Sequence, residues 1–233
     1  MNTEMAMNKV RGNMYDFCTH TWNTILGKCH HNCSYCYNIG RPFFEGELRL
    51  NEKNLKDNLG EGNFIFVGSS NDLFQDDIPE EWIIKTVEHC RKYPKNKYLF
   101  QSKNPCRMYK IFRKIPKMDN VVFGTTIETN SKELSLRHSD APTTEKRAWW
   151  IQQLNSNEIM VTIEPIMQFD LDILIKWLRH IKPKWINIGA DSKRHNLLEP
   201  KKEEIEELIK ELNKFTEVKI KPNLSRLLNE VVK

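Results

Sequence analysis

Residues 159–188 read IMVTIEPIMQFDLDILIKWLRHIKPKWINI. The stretch opens on Ile159–Ile163, apolar but for Thr162, and closes on Trp185–Ile188. Short runs of β-branched and aromatic residues are strand signals. Between them Leu171, Leu174, Ile175, Leu178 and Ile181 keep helical spacing, so Asp170–Ile181 reads as a helix with one apolar stripe. Strand, helix, strand is the crossover unit of a parallel sheet, and nearly continuous apolar strands suit a sheet covered on both faces.

The same alternation extends outward in both directions. Further strands are expected at Trp22–Leu26, Phe64–Val67, Tyr98–Gln101, Val121–Thr126 and Val218–Ile220. One helix opens at Pro79, with Glu80 and Glu81 in its first turn and Ile83, Val87 and Cys90 inward. A second starts near Thr144 and runs through Trp149 and Trp150. A third, Lys201–Phe215, carries Ile205, Leu208, Ile209 and Leu212 on one stripe, and weaker helical patterns lie in Glu52–Leu59 and Met108–Lys114. About six parallel strands and a further seventh candidate give an α/β fold, either a small or incomplete (β/α) TIM-like barrel or a doubly wound open sheet. No Gly-rich fingerprint follows the first strand, so a dinucleotide-binding fold has no support. No linker or repeat divides the chain, which reads as a single domain over residues 19–233 after an N-terminal extension, residues 1–18. In either architecture the site lies at the carboxyl ends of the strands, in loops 27–38, 68–77, 102–107, 127–143, 164–169 and 189–199.

Composition narrows the class. The 233 residues are 39% hydrophobic and 29% charged, enough to bury a core. Mean hydropathy is -0.62, no run approaches a membrane span, and the N-terminus lacks the apolar stretch of a secretory signal. The expectation is a cytoplasmic protein without a membrane partner. There the 6 cysteines are metal-binding, catalytic or buried rather than a disulfide framework. The net charge is +5, yet residues 91–117 hold ten Lys or Arg and no Asp or Glu, leaving the rest of the chain net negative. The fold divides this patch among surfaces. A solvated outer face is the favoured reading, and a nucleic-acid path would touch only Lys103, Arg107 and the adjoining helix.

The first top loop contains Cys29-His-His-Asn-Cys33-Ser-Tyr-Cys36. Three thiols in one short loop can converge on a metal centre, and thiolates bind iron–sulfur clusters or zinc. A zinc site would recruit His20, His30 or His31 as the fourth ligand. However, a closed zinc site normally draws ligand pairs from two separated turns, so His30 and His31 read as exposed loop residues.

The spacing CxxxCxxC, with aromatic Tyr35 before the third cysteine and the loop just after the first strand, resembles the signature of the radical S-adenosylmethionine (radical SAM) superfamily. The segments FVGSSNDLFQDDIPEEW, FGTTIETN and VTIEPI are similar to those of a phage-associated branch of it, so the likeness covers roughly residues 19–220. The resemblance implies the partial barrel. It also implies a [4Fe–4S] cluster on Cys29, Cys33 and Cys36, with the fourth iron chelated by S-adenosylmethionine. One electron, from a donor such as flavodoxin or ferredoxin, would then cleave the sulfonium to methionine and a 5′-deoxyadenosyl radical that abstracts a substrate hydrogen. The cofactor carries that chemistry, and the protein positions it and excludes water.

The resemblance also suggests cofactor contacts. Gly68, Ser69 and Ser70 are either backbone contacts for the S-adenosylmethionine amine, helped by Asn71 and Asp72, or an ordinary strand-to-helix turn. Thr126 and Glu128 end the fourth strand, where ribose hydroxyls or the amine would bind. Arg137 is either a bidentate partner for the methionyl carboxylate or a solvated loop charge. Glu164 ends the fifth strand and, if buried, needs a partner. Asn187, Gly189 and Asp191 follow the sixth strand, where adenine would pack, with Gly189 allowing close backbone approach and Tyr35 near the adenine. Cys90 sits on an apolar stripe and reads as core, Cys18 has no partner in its spacing, and too few cysteines surround Cys106 for a second cluster.

The expected function is therefore reductive cleavage of S-adenosylmethionine, with no catalytic residue readable. A top face with few insertions leaves room for a large substrate, a nucleic acid, a protein side chain or a nucleotide, and Lys103 and Arg107 on a top loop favour a nucleotide or nucleic acid. The alternative from another class is a non-catalytic nucleic-acid-binding protein with a structural zinc or cluster site. An electron-transfer protein fits less well, because a cluster dedicated to that role usually has four protein ligands.

Overall fold

The computed structural model describes residues 7–41 and 44–229. Its strands are β1 (Met7–Lys9), β2 (His20–Trp22), β3 (Ile25–Leu26), β4 (Arg49–Leu50), β5 (Phe64–Val67), β6 (Lys97–Gln101), β7 (Val121–Thr126), β8 (Glu158–Ile163), β9 (Trp185–Ile188) and β10 (Glu217–Ile220). Its helices are α1 (Glu80–Arg91), α2 (Pro105–Phe112), α3 (Lys132–His138), α4 (Thr144–Ile151), α5 (Leu171–Ile181), α6 (Lys202–Leu212) and α7 (Ser225–Leu228).

The main sheet has the order β1-β2-β5-β6-β7-β8-β9-β10. Every pair from β2 to β10 is parallel, and β1 alone runs antiparallel, against β2. Strands in chain order leave no point where the winding reverses, which excludes the doubly wound alternative. The period-2 alternation of each strand then decides what it touches. Ile65, Val67, Tyr98, Phe100, Phe123, Val161, Ile163, Ile186 and Ile188 share one core with the stripes of α1, α2, α4, α5 and α6. The opposite face presents Phe66, Leu99, Val122, Met160 and Trp185 to Tyr15 and Cys18. The helices thus cover one face, and the segment before β2 packs against the other. The result is a partial (β/α) barrel whose inner face is covered by residues from the stretch read as an extension.

Along the strands the inner face turns from apolar to polar. Beyond the apolar layer come Gln101, Thr126, Thr162 and Asn187, near the carboxyl ends. The Tyr15 hydroxyl donates to Gln101 Oε1 at 2.8 Å and lies 2.7 Å from Thr162 Oγ1. Gln101 Nε2 donates to Thr126 Oγ1 at 3.2 Å.

Five local expectations need correction. The strand expected over Trp22–Leu26 is two, because β3 leaves the main sheet to pair with β4. Trp22, fully buried, donates its Nε1 to Asp57 Oδ2 at 2.9 Å, which holds the end of β2. The segment Glu52–Leu59 contains a single 3-10 turn, Asn54–Lys56. Helix α2 begins earlier than Met108, since Asn104 caps it by accepting from the Arg107 amide and Pro105 occupies its first turn. Helix α6 stops at Leu212, short of Phe215. The loop 127–143 contains α3, capped by Ser131.

Candidate functional site

The cysteine loop leaves β3 through Gly27. Its φ is +102 and a Cβ there would collide with the Glu47 carbonyl, so no side chain fits. The far side of the loop is tied to the end of α3. The Ser34 amide donates to the His138 carbonyl at 2.9 Å and the Asp140 amide to the His31 carbonyl at 2.8 Å. The near side is tied to the loop after β5, with His31 Nε2 2.9 Å from Asp72 Oδ2. Asp72 also accepts from Ser102 Oγ and the Lys103 amide, each at 2.7 Å. Burial pushes the Asp72 carboxyl up, but His31 and these hydrogen bonds bring it down to about 2. His31 is therefore buried and paired, contrary to its reading as an exposed loop residue, whereas His30 is half-exposed against Asp77.

Cys29, Cys33 and Cys36 are half-buried free thiols. Burial pushes the Cys29 thiol up to about 12. Cys33 Sγ lies 3.2 Å from Ser139 Oγ and 3.2 Å from Lys103 Nζ. Lys103 Nζ also donates to the Tyr35 oxygen and to Glu128 Oε1, each at 2.7 Å, while the Tyr35 hydroxyl donates to that same Oε1 at 2.7 Å. Arg147 Nη1 holds the other carboxylate oxygen at 2.8 Å. The side chains of Glu128 and Arg147 are each 1% exposed. Burial raises the Glu128 carboxyl, but Arg147 and Lys103 outweigh it and hold it down at about 2. Burial likewise opposes the charge on Lys103, and Cys33 and Glu128 keep the ammonium protonated well above its usual range. One buried and one largely buried cation thus flank one carboxylate, with a cysteine sulfur against the second cation.

Of the residues singled out in the sequence, Tyr35, Thr126 and Glu128 join this network, the Thr126 carbonyl accepting from Arg147 at 2.9 Å. Gly68 turns the chain with φ +77. The Ser69 and Ser70 carbonyls accept from Tyr37 and Asn38 of the cysteine loop. Asn71 donates to the Gly27 carbonyl at 2.8 Å. Arg137 stands apart, 59% exposed and paired with Glu133 one turn earlier. The guanidinium that reaches Glu128 is that of Arg147, which sequence reasoning missed. Its signal was present: Thr144, Arg147, Ala148 and Ile151 form the buried stripe of α4, so an arginine stands at a core position.

A second group sits above β8 and β9. Glu164 accepts from Asn13 and Asn223, each at 2.8 Å, and pairs with Lys221 at 2.5 Å. A Cβ on Gly189 would stand 2.7 Å from Glu164 Oε1, so the close approach at this glycine is made by a side chain. Asn187 is buried, and Asp191 accepts from His195 and the Lys193 amide. Of the cations read as substrate-facing, Lys103 turns inward and Arg107 donates to the Gln75 and Ile78 carbonyls. Cys18 and Cys90 are buried, and Cys106 lies half-buried at the start of α2.

Among the described residues, no three His, Cys, Asp or Glu side chains are arranged to hold one metal ion. Three free thiols in one loop, with an ammonium beside Cys33, are the kind of donor set an anionic sulfur-ligated cluster would use. Two buried polar atoms where the cysteine loop meets the turn after β5, Asn38 Oδ1 and Ser70 Oγ, have no hydrogen-bond partner. Buried polar atoms are rarely left so, and this pair suits a polar group of a bound cofactor.

A family model described as "Protein of unknown function (DUF5131)" matches residues 13–197. No curated protein matches the sequence. Among solved structures, a double mutant of spore photoproduct lyase with bound AdoMet and dinucleoside spore photoproduct is similar with a TM-score of 0.64 at 10% identity, over 94% of this chain and 79% of that one. Streptococcus suis SuiB bound to S-adenosylmethionine is similar with a TM-score of 0.53 at 9% identity, over 83% of this chain and 47% of that one. The chain thus spans about half the length of SuiB. At these identities the likeness is one of fold.

Proposed function

The chain belongs to this family of unknown function, and from its fold and cysteine loop we propose that it is a radical SAM enzyme, with Cys29, Cys33 and Cys36 holding a [4Fe–4S] cluster. The observation that carries the reading is the set of three free thiols in one loop at the carboxyl ends of a partial barrel, a fold shared with two proteins solved with S-adenosylmethionine bound. When bound, the cluster and S-adenosylmethionine supply a one-electron carbon–sulfur cleavage that yields a 5′-deoxyadenosyl radical. The protein's own part is to bind and orient. Asn38 Oδ1 and Ser70 Oγ offer hydrogen bonds to the cofactor's amine or carboxylate. Tyr35, Glu128, Lys103 and Arg147 hold the floor beneath the loop rigid and dry. Glu164, Asn187 and Gly189 line the ground above β8 and β9 assigned to the adenosyl group and substrate.

The proposed substrate class is a nucleotide or nucleic acid. Its support is the dinucleoside ligand of spore photoproduct lyase on the same fold, because Lys103 and Arg107 are committed to internal partners. No helix among the described residues is long and apolar enough to cross a membrane.

The test is anaerobic reconstitution. Iron and sulfide should load, and with reductant and S-adenosylmethionine the protein should release 5′-deoxyadenosine. Cys29→Ala, Cys33→Ala and Cys36→Ala should each lose the cluster, while Cys90→Ala keeps it. Stoichiometric zinc that survives air, or full iron content in all four variants, overturns the assignment. Deuterium exchange between candidate nucleotides and the released 5′-deoxyadenosine then tests the substrate class.

A further inference from the structure

We infer that Lys103 is a positioning residue that raises the reduction potential of the centre held by Cys29, Cys33 and Cys36, by donating a charge-assisted hydrogen bond to the Cys33 sulfur. The inference rests on the cluster reading proposed above.

Geometry comes first. The three protons of the Lys103 ammonium have three acceptors: Cys33 Sγ at 3.2 Å, the Tyr35 oxygen at 2.7 Å and Glu128 Oε1 at 2.7 Å. An ammonium has three donors and no acceptor, so this one is fully engaged and its direction is set. The ammonium also lies 4.4 Å from the centre of the Tyr35 ring. The backbone beneath is held as well, through the Lys103 amide on Asp72. The side chain is 17% exposed, so solvent screens it little.

Charge counting gives the direction. Glu128 is already neutralised by Arg147, buried with it. Lys103 therefore brings one surplus positive charge into the network, and Cys33 sulfur is the remaining acceptor it touches. Reduction adds one electron, taken from a low-potential one-electron reductant. No bond breaks and Lys103 keeps its proton. The added negative charge is stabilised by a cation in hydrogen-bond contact with a ligand sulfur, since hydrogen bonds to cluster sulfurs and burial are levers on potential, and a buried charge acts through a low dielectric.

The test is an electron paramagnetic resonance redox titration of reconstituted full-length protein, without S-adenosylmethionine. Lys103→Met should lower the ratio of reduced to oxidised cluster at fixed potential by about tenfold or more, a shift of at least about 59 mV to more negative values for one electron. Lys103→Arg, which keeps the charge, should stay within about threefold of the parent. Should Lys103→Met fail to fold, Lys103→Gln carries the same expectation. A loaded Lys103→Met protein with an unchanged potential overturns the inference, and does so too if its only change is weaker S-adenosylmethionine binding. Parent protein that takes up no iron overturns the cluster reading, and this inference with it.

Discussion

Replacing Arg147 by Met tests whether the network beneath the cysteine loop is held by its buried charge pair. The guanidinium makes three hydrogen bonds: to Glu128 Oε2 at 2.8 Å, to the Thr126 carbonyl at 2.9 Å and to the Pro142 carbonyl at 2.6 Å. Both charged side chains are 1% exposed. At an effective dielectric of about 20, unit charges at this separation attract by about 6 kcal/mol. Lys103 retains its hold on the other carboxylate oxygen, which offsets part of the loss, while the buried Thr126 carbonyl and the half-buried Pro142 carbonyl lose a donor. Removing one partner of a buried pair costs about 3–5 kcal/mol. With a urea slope of about 2 kcal/mol per molar, the unfolding midpoint should fall by about 1.5–2.5 M. The control is Arg137→Met, which breaks an exposed i,i+4 pair with Glu133 and should move the midpoint by no more than about 0.25 M. Equal, small shifts in the two variants would refute the argument that burial gives Arg147 its weight. A cycle with Glu128→Gln should return a coupling of about 1–3 kcal/mol between the two positions.

Three further outcomes follow from the same geometry. Glu128 is held at about 2 against an ordinary 4.5, so its ionisation contributes about 3 kcal/mol of stability above pH 4.5, lost as pH falls towards 2. Acid titration of stability should show that limb in the parent, and Glu128→Gln should flatten it. Gly189→Ala sets a Cβ 2.7 Å from Glu164 Oε1 and 2.9 Å from Asn223 Oδ1. The crowding should cost about 1–3 kcal/mol, read as a Tm lower by several degrees. Ser70→Ala removes a buried hydroxyl that has no protein partner. It should weaken S-adenosylmethionine binding about two- to tenfold, the worth of one neutral hydrogen bond, with iron content unchanged, as equilibrium dialysis and iron analysis would record.

Much of this molecule was legible in one dimension. Runs such as Val121–Thr126 and Trp185–Ile188 are strands to the residue, because runs of four to six residues rich in β-branched and aromatic side chains are too short for a helix. The stripe of Asp170–Ile181 gives α5, and the structure adds its cap, the Asp170 side chain accepting from the Ile173 amide. The three cysteines stand out by spacing alone, because residues that share one loop need no distant partner to be noticed together. The shortest elements escaped: β1 and β4, and the break that parts β3 from β2, involve two or three residues each, too few to show a period.

Tertiary structure decided what depends on which charges meet. The ten cations of residues 91–117 look like one basic patch in the chain, yet Lys95 meets Glu61, Lys97 meets Glu158 and Lys114 meets Glu80. Lys103 looked like a surface cation because top loops are exposed as a class. It turns inward because the buried Glu128 carboxylate and the Cys33 sulfur are 25 and 70 residues away in sequence and within hydrogen-bond reach in space. Periodicity and cysteine spacing are local properties, which a sequence carries on its own. The sign and partner of a buried charge are set by through-space attraction in a low dielectric, and that exists only once the strands have brought their ends together.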